Sequence, residues 1–289
     1  MIKRFSVFAL LMFLAVNLSA QNEAPKGKVI TVSAYAMTGN AVIANQYLSD
    51  QEHAGPVSGA GVEFGAMYKR SKNLSWDFDF TYTSASDAGS KPQYSVSNAA
   101  GTSAFTMSAF DLDYGTYYNW NPVKNLYFKA GGTFNILGAL MMGVPNYINN
   151  SIDIDFQTQL KASAGVKYGY NFKKIGLSLQ ADFSIPFVGI ALGGTQYEAS
   201  VDSILEGEIL GGTIQPFCFT SFHNLQSFNT EIELDVIFKK ITLFYVKEYN
   251  YRSWHLYDVQ NYRNYSLSRI GIKLDLASLS RLNSSNRYF

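Results

Sequence analysis

From residue 28 to residue 276 the chain alternates apolar and polar side chains with a period of two. In LSWDFDFTYTSAS (74–86), Trp76, Phe78, Phe80 and Tyr82 share one parity, and Asp77, Asp79, Thr81 and Thr83 share the other. Side chains of a strand point to opposite faces in turn, so this segment has an aromatic face and an acidic, hydroxylated one. The same test predicts ten strands: 28–39, 57–70, 74–86, 104–120, 125–140, 154–171, 175–190, 225–238, 241–257 and 263–276. In 154–171, for example, Phe156, Leu160, Ala162, Val166 and Tyr168 oppose Gln157, Gln159, Lys161, Ser163 and Lys167. Two places break the rule. Lys247 shares parity with Leu243, Tyr245 and Tyr249, which predicts a β-bulge near 246–248. The last strand slips near Ser268, leaving Ile270, Ile272, Leu274 and Leu276 outward.

Connection lengths sort by end. SKN (71–73), NPVKN (121–125), FKK (172–174) and KK (239–240) are tight, whereas at the other end 40–56, 87–103, 141–153 and 191–224 are longer and only 258–262 is short. A soluble sandwich has no reason to sort its connections so. A closed antiparallel transmembrane β-barrel does, with short periplasmic turns, longer extracellular loops and, for an even strand number, both termini periplasmic. Predicted strands of up to 18 residues exceed the usual five or six of globular sheets. Closure removes the edges that so aromatic a sheet would expose to aggregation. On this reading Trp76 to Tyr82 face lipid, and Thr81→Arg, pointing into the lumen, should cost far less than Phe80→Arg. Tyr68, Trp76, Tyr118, Trp120 and Tyr170 are expected in a lower aromatic girdle, and Phe105, Phe187, Trp254 and Tyr257 in an upper one.

Composition narrows the rest. Lys3 and Arg4 precede the apolar run FSVFALLMFLAV (5–16), and NLSA leads to a cut after Ala20, the plan of a secretory signal peptide. The expected organisation is a removed signal peptide (1–20), the barrel (21–276) and a periplasmic tail (277–289). Losing Lys3 and Arg4 takes the formal charge from +1 to −1, so nothing favours nucleic acid as a partner. A single cysteine, Cys218, excludes an internal disulfide. Beyond the signal segment no apolar run is long enough for a helical span, so insertion would use strands.

The SAQN segment (19–22), tyrosine-rich strands and lysine-rich turns resemble the outer-membrane β-barrel proteins of unknown function found in Bacteroidota. That resemblance covers the whole chain. It implies export to the outer membrane, contact with its lipid and handling by the barrel-assembly machinery. It also implies an aromatic terminal assembly signal. Tyr288 and Phe289 end the chain, but alternation stops near Leu276, which is where the functional signal is expected to end.

Parity places Glu63, Asp77, Asp79, Asp111, Asp113, Asp182, Glu231, Glu233, Glu248 and Asp275 in the lumen. Lys129, Lys161, Lys167, Arg252, Arg269 and Lys273 join them. Predicted strands two to four are acidic, five and six basic, eight acidic, and nine and ten mostly basic, so neighbouring sectors can neutralise one another. Ten strands leave a narrow interior. A salt-bridged plug is therefore expected, with a narrow channel or transporter for small polar solutes or a hydrophobic ligand as the alternative. The i,i+2 acids follow from parity alone and do not by themselves indicate acid–base chemistry. His53 in DQEH (50–53), His223 and His255 form no Asp-x-His pair at matching strand ends. No nucleophile elbow, phosphate loop or calcium loop occurs. Hence no catalytic residues, cofactor or metal are expected, and a rim hydrolase ranks third. The rim segment 191–224 repeats LGGT at 192–195 and 210–213. Val201, Ile204, Leu205 and Ile209 lie on one face of a short predicted helix, followed by the apolar run QPFCFTSF (215–222). An envelope protein partner is expected to dock there. A scaffold or interaction component of the envelope is the expected role.

Overall fold

In a computed structural model, described for residues 28–45, 52–68, 74–86, 104–123, 125–144, 151–172, 175–192, 218–238, 241–256 and 259–276, the alternation becomes antiparallel strands. They are β1 (Lys28–Asn45), β2 (Glu52–Tyr68), β3 (Leu74–Ser86), β4 (Ala104–Val123), β5 (Leu126–Val144) and β6 (Ser151–Phe172). Then follow β7 (Ile175–Leu192), β8 (Cys218–Ser221), β9 (Leu225–Phe238), β10 (Ile241–Leu256) and β11 (Val259–Asp275). Neighbours in sequence pair from β1 to β8 and from β9 to β11, β7 also pairs β9, and β1 pairs β11, which closes the sheet. The short β8 runs against the upper part of β7 at Val188 to Ala191, and β9 against the lower part at Gly176 to Ser184. The two share one position in the wall, so the barrel has ten strand positions.

Closure fixes the tilt. Following hydrogen-bonded partners from Lys28 of β1 through Tyr68, Leu74, Tyr118, Ala130 and Ala164, the path continues through Phe183, Thr230, Tyr249 and Ser266. It returns to β1 at Asn40, twelve residues above Lys28. Twelve residues at ~3.3 Å each, over ten spacings of ~4.8 Å, tilt the strands by about 40°. Each residue then climbs about 2.5 Å along the barrel axis.

The strands run further up than alternation alone marks. β1 continues to Asn45 and β2 begins at Glu52, so the expected loop 40–56 shrinks to 46–51. Ala41 and Ile43 keep the inward parity through this extension and are buried. At the lower end the turn into β5 uses Asn125 at φ 65°, a left-handed conformation that asparagine tolerates better than most residues. The Asn125 carbonyl accepts a hydrogen bond from the Gly169 amide at 2.9 Å.

Both parity breaks are overturned. β10 pairs with β9 and β11 in one continuous register from Ile241 through Trp254, so no bulge occurs at 246–248 and Lys247 faces outward. β11 likewise keeps register, so Ser266 and Ser268 face outward as Ile270 does. The register shifts elsewhere, between Trp120 and Val123 of β4 against β5 and between β6 and β7. Leu160 pairs with Val188 and Lys161 with Pro186, leaving Phe187 as the extra residue. Proline has no amide hydrogen to give the ladder, which suits an interruption there.

Trp76, Tyr118, Trp120 and Tyr170 point outward near the lower end, and Trp120 stacks on Phe128 at 5.3 Å. Phe187 points outward near the top. Trp254 does not join it. Its ring is buried, follows the inward parity of Arg252, and lies 5.0 Å from the Arg263 guanidinium. The side chains of Tyr68, Phe105 and Tyr257 lie outside the described residues, as do the signal segment, the tail and the predicted helix at 201–209.

Candidate functional site

Inward parity brings the predicted charged residues together around Arg269 of β11. Its guanidinium donates to Glu248 on β10 (Nε 2.9 Å), to Asp79 on β3 (3.3 Å) and to Glu231 on β9 (3.4 Å). Two of these carboxylates come from strands that do not touch β11, so the contact spans the interior. Tyr35 of β1 lies beneath the guanidinium, 5.3 Å away, and its hydroxyl donates to Asp79 at 2.6 Å. That ring sits where β2 has Gly61, and a methyl there would collide with it.

Other cations pair with acids two strands away. Lys161 on β6 reaches Asp113 on β4 at 3.1 Å, and Lys129 on β5 reaches Asp182 on β7 at 3.0 Å. Lower down, Lys273 pairs with Glu233 and lies 3.9 Å from Asp235, while Lys167 approaches Asp235 at 3.1 Å. The alternating charged sectors thus meet across the lumen. Glu63, Asp77 and Asp111 have no cation within ion-pair distance among the described residues. They are held by neutral groups instead: Ser33 at 2.9 Å, Tyr117 at 3.4 Å and the Asn135 amide, respectively.

Arg252 is buried as expected but forms no ion pair among the described residues, because the partner opposite it in the ladder is Arg263. Arg263 in turn binds Asp155 at 2.8 Å, and the Asp155 carboxylate also receives the Gln157 amide at 3.0 Å. Sequence reasoning passed over this upper group. Asp155 and Gln157 share the inward parity of Lys161, but Arg263 was masked by the supposed slip in its strand. Asp235, on the polar parity of Glu231 and Glu233 in 225–238, is inward with them and belongs with the lumen set. Asp275 continues the inward parity of Lys273 at the lower end of β11.

Apolar side chains share the upper level with Arg263, whose guanidinium lies 3.6 Å from the Met141 sulfur. Met37, Ile43, Val57, Ala85, Met107, Met141 and Leu267 form a buried apolar cluster in the upper lumen, with the Tyr265 hydroxyl 3.4 Å from the Met107 sulfur. Among the described residues, two chambers remain in the lumen. One of about 120 Å³ is lined by Glu63, Asp77, Lys129 and Asp182, and one of about 50 Å³ by Thr83, Asp111, Asn250 and Tyr265. Asp79, Asp113, Lys161 and Arg269 line both, so the Lys161–Asp113 and Arg269–Asp79 pairs stand between them. Such volumes suit several water molecules.

Among the described residues no three His, Cys, Asp or Glu side chains are placed to hold a metal ion. His223, exposed at the rim, bonds Ser221. The side chains of His53 and His255 lie outside the described residues, as does 193–217 of the rim segment.

The fold is similar to that of the outer membrane protease OmpT from Escherichia coli, with a TM-score of 0.46 and 10% identity over 89% of this chain and 99% of that one. For the translocator domain of the autotransporter NalP from Neisseria meningitidis the TM-score is 0.38 at 12% identity, covering 93% and 95%. For an outer membrane channel from Pseudomonas putida F1 it is 0.33 at 12%, covering 89% and 100%. No curated protein matches the sequence. The family described as protein of unknown function (DUF3316) matches residues 6–282, and this chain belongs to it.

Proposed function

We propose that this protein is an integral outer-membrane barrel with an occluded lumen, acting as a non-enzymatic scaffold or interaction component of the cell envelope. The observation that carries the reading is the contrast between its two surfaces. Outside, Phe64, Phe80, Phe134, Leu160, Leu179 and Leu234 form a belt of exposed large apolar side chains, which water disfavours and hydrocarbon accepts. Inside, the Arg269–Asp79 and Arg263–Asp155 pairs join strands that do not adjoin, among buried apolar side chains, an arrangement that fills a narrow barrel rather than lining a pore. The resemblance to Bacteroidota envelope proteins and the predicted signal peptide agree with export. Lipid, the assembly machinery and an envelope partner at 191–224 are the contacts this role requires.

The rim supports a partner-facing role for that segment. Phe219 and Phe222, near its end, are exposed aromatic rings at the rim. Deleting 195–214 should leave the barrel folded and membrane-inserted while abolishing co-purification of a stoichiometric partner from native envelopes. Unchanged co-purification, or the absence of any fixed partner of the parent chain, would contradict the scaffold.

A further inference from the structure

The two residues that break the alternation in sequence are direct cross-strand partners. Lys247 of β10 pairs with Ser268 of β11, which pairs on its other side with Thr38 of β1. All three point outward. The Lys247 ammonium lies 3.5 Å from the Ser268 hydroxyl and 5.3 Å from the Tyr249 ring, and no carboxylate pairs with it among the described residues. The Tyr245 hydroxyl lies 3.2 Å from the same serine oxygen. Lys247 is six residues above Ile241, about 15 Å up the barrel, and so within a belt about 25 Å tall. A lone cation there is costly unless something answers its charge.

The belt itself is lopsided. On β5 the outward positions stay apolar through Phe134, Ile136, Leu140 and Met142, about 40 Å above Leu126. On β11 they turn polar at Ser268, about 20 Å above Leu276, and continue as Ser266 and Asn264. A short apolar face draws the headgroup region down toward it, and a lysine stem can carry its charge up to meet the headgroups.

We propose that the β10–β11–β1 face binds the phosphate of an outer-leaflet lipid headgroup, with Lys247 as its charge partner and the Ser268 and Tyr245 hydroxyls as donors. This rests on the membrane reading above. Charge selects the occupant. A second copy packed by two-fold symmetry would bring like ammonium groups toward each other, whereas a phosphate completes the site. The position within the belt favours a phosphate tethered to a lipid over a soluble one.

The test is native mass spectrometry of the full-length parent, K247Q and K247R after reconstitution with phosphatidylglycerol or with a phosphate-free digalactosyl lipid. The parent should retain phosphatidylglycerol about fivefold more than K247Q, and K247R should match the parent. The galactolipid should be retained equally by all three, and inorganic phosphate should not displace the bound lipid. Equal retention of phosphatidylglycerol by parent and K247Q would overturn the site. So would displacement by inorganic phosphate, which identifies a soluble anion, or retention confined to a dimer, which identifies a second copy. Failure of the parent to insert into either lipid, read by circular dichroism, would instead overturn the membrane reading.

Discussion

Phe80→Arg should lower stability in lipid vesicles by roughly 2–4 kcal/mol, while Ser84→Arg on the same strand and face should cost about 0–1 kcal/mol. Phe80 points outward between Val62 and Leu112, 38% exposed, in the middle of the apolar belt. Ser84 lies four residues higher, about 10 Å up, where the outward neighbours are Ser58 and Ser108. The comparison keeps strand, face and substituent fixed and changes only depth, so denaturant titration of the two variants reads hydrocarbon directly. Equal losses would mean that depth does not matter and that the exposed belt is not against lipid. Thr81→Arg is not the mild lumen control that alternation predicts. Thr81 is packed inside with its hydroxyl 2.7 Å from that of Tyr35, so a guanidinium there would crowd the interior.

Arg269→Met should be the most damaging single change inside the barrel, at roughly 3–5 kcal/mol. The loss comes from the acids left behind: Glu248 is buried, and Asp79 and Glu231 sit within hydrogen-bonding distance of the same guanidinium. Arg269→Lys should lose less, since the charge survives but three carboxylates cannot all be met by one ammonium. Adding Glu248→Gln to Arg269→Met should recover part of the loss, with a coupling of about 0.5–3 kcal/mol in a double-mutant cycle. Additive losses would show that the two side chains do not act as one network.

Period-two alternation was enough to place ten strands and to put Asp77, Asp79, Lys161 and Arg269 inside, because a tilted strand in a closed barrel has only two faces. The same rule failed where it was read as a rule about polarity. A lipid face that excluded polar side chains would need a bulge at Lys247 and a slip at Ser268, yet the ladder runs straight through both. Met37, Met107 and Leu267 were invisible as lumen residues because inward was equated with polar. Trp254 was assigned to a girdle on its ring alone, although it shares parity with Arg252. The Asp155–Arg263 pair joins residues 108 apart in sequence, and no local pattern announces such a partner. The Phe187 bulge and the split of one wall position into β8 and β9 depend on closure, which sets register only once all the strands have met.

Planar-bilayer recording of the purified full-length protein tests the occluded barrel most directly. With the Arg269–Asp79 and Arg263–Asp155 pairs between strands that do not adjoin and the methionine-rich cluster around them, the protein should insert yet show little conductance or only rare openings. Removing both Lys161 and Lys167 as alanines should leave Asp113 short of a partner, and the openings that appear should favour cations, which an acidic lumen concentrates. Steady, large, weakly selective openings of the parent protein would contradict the account.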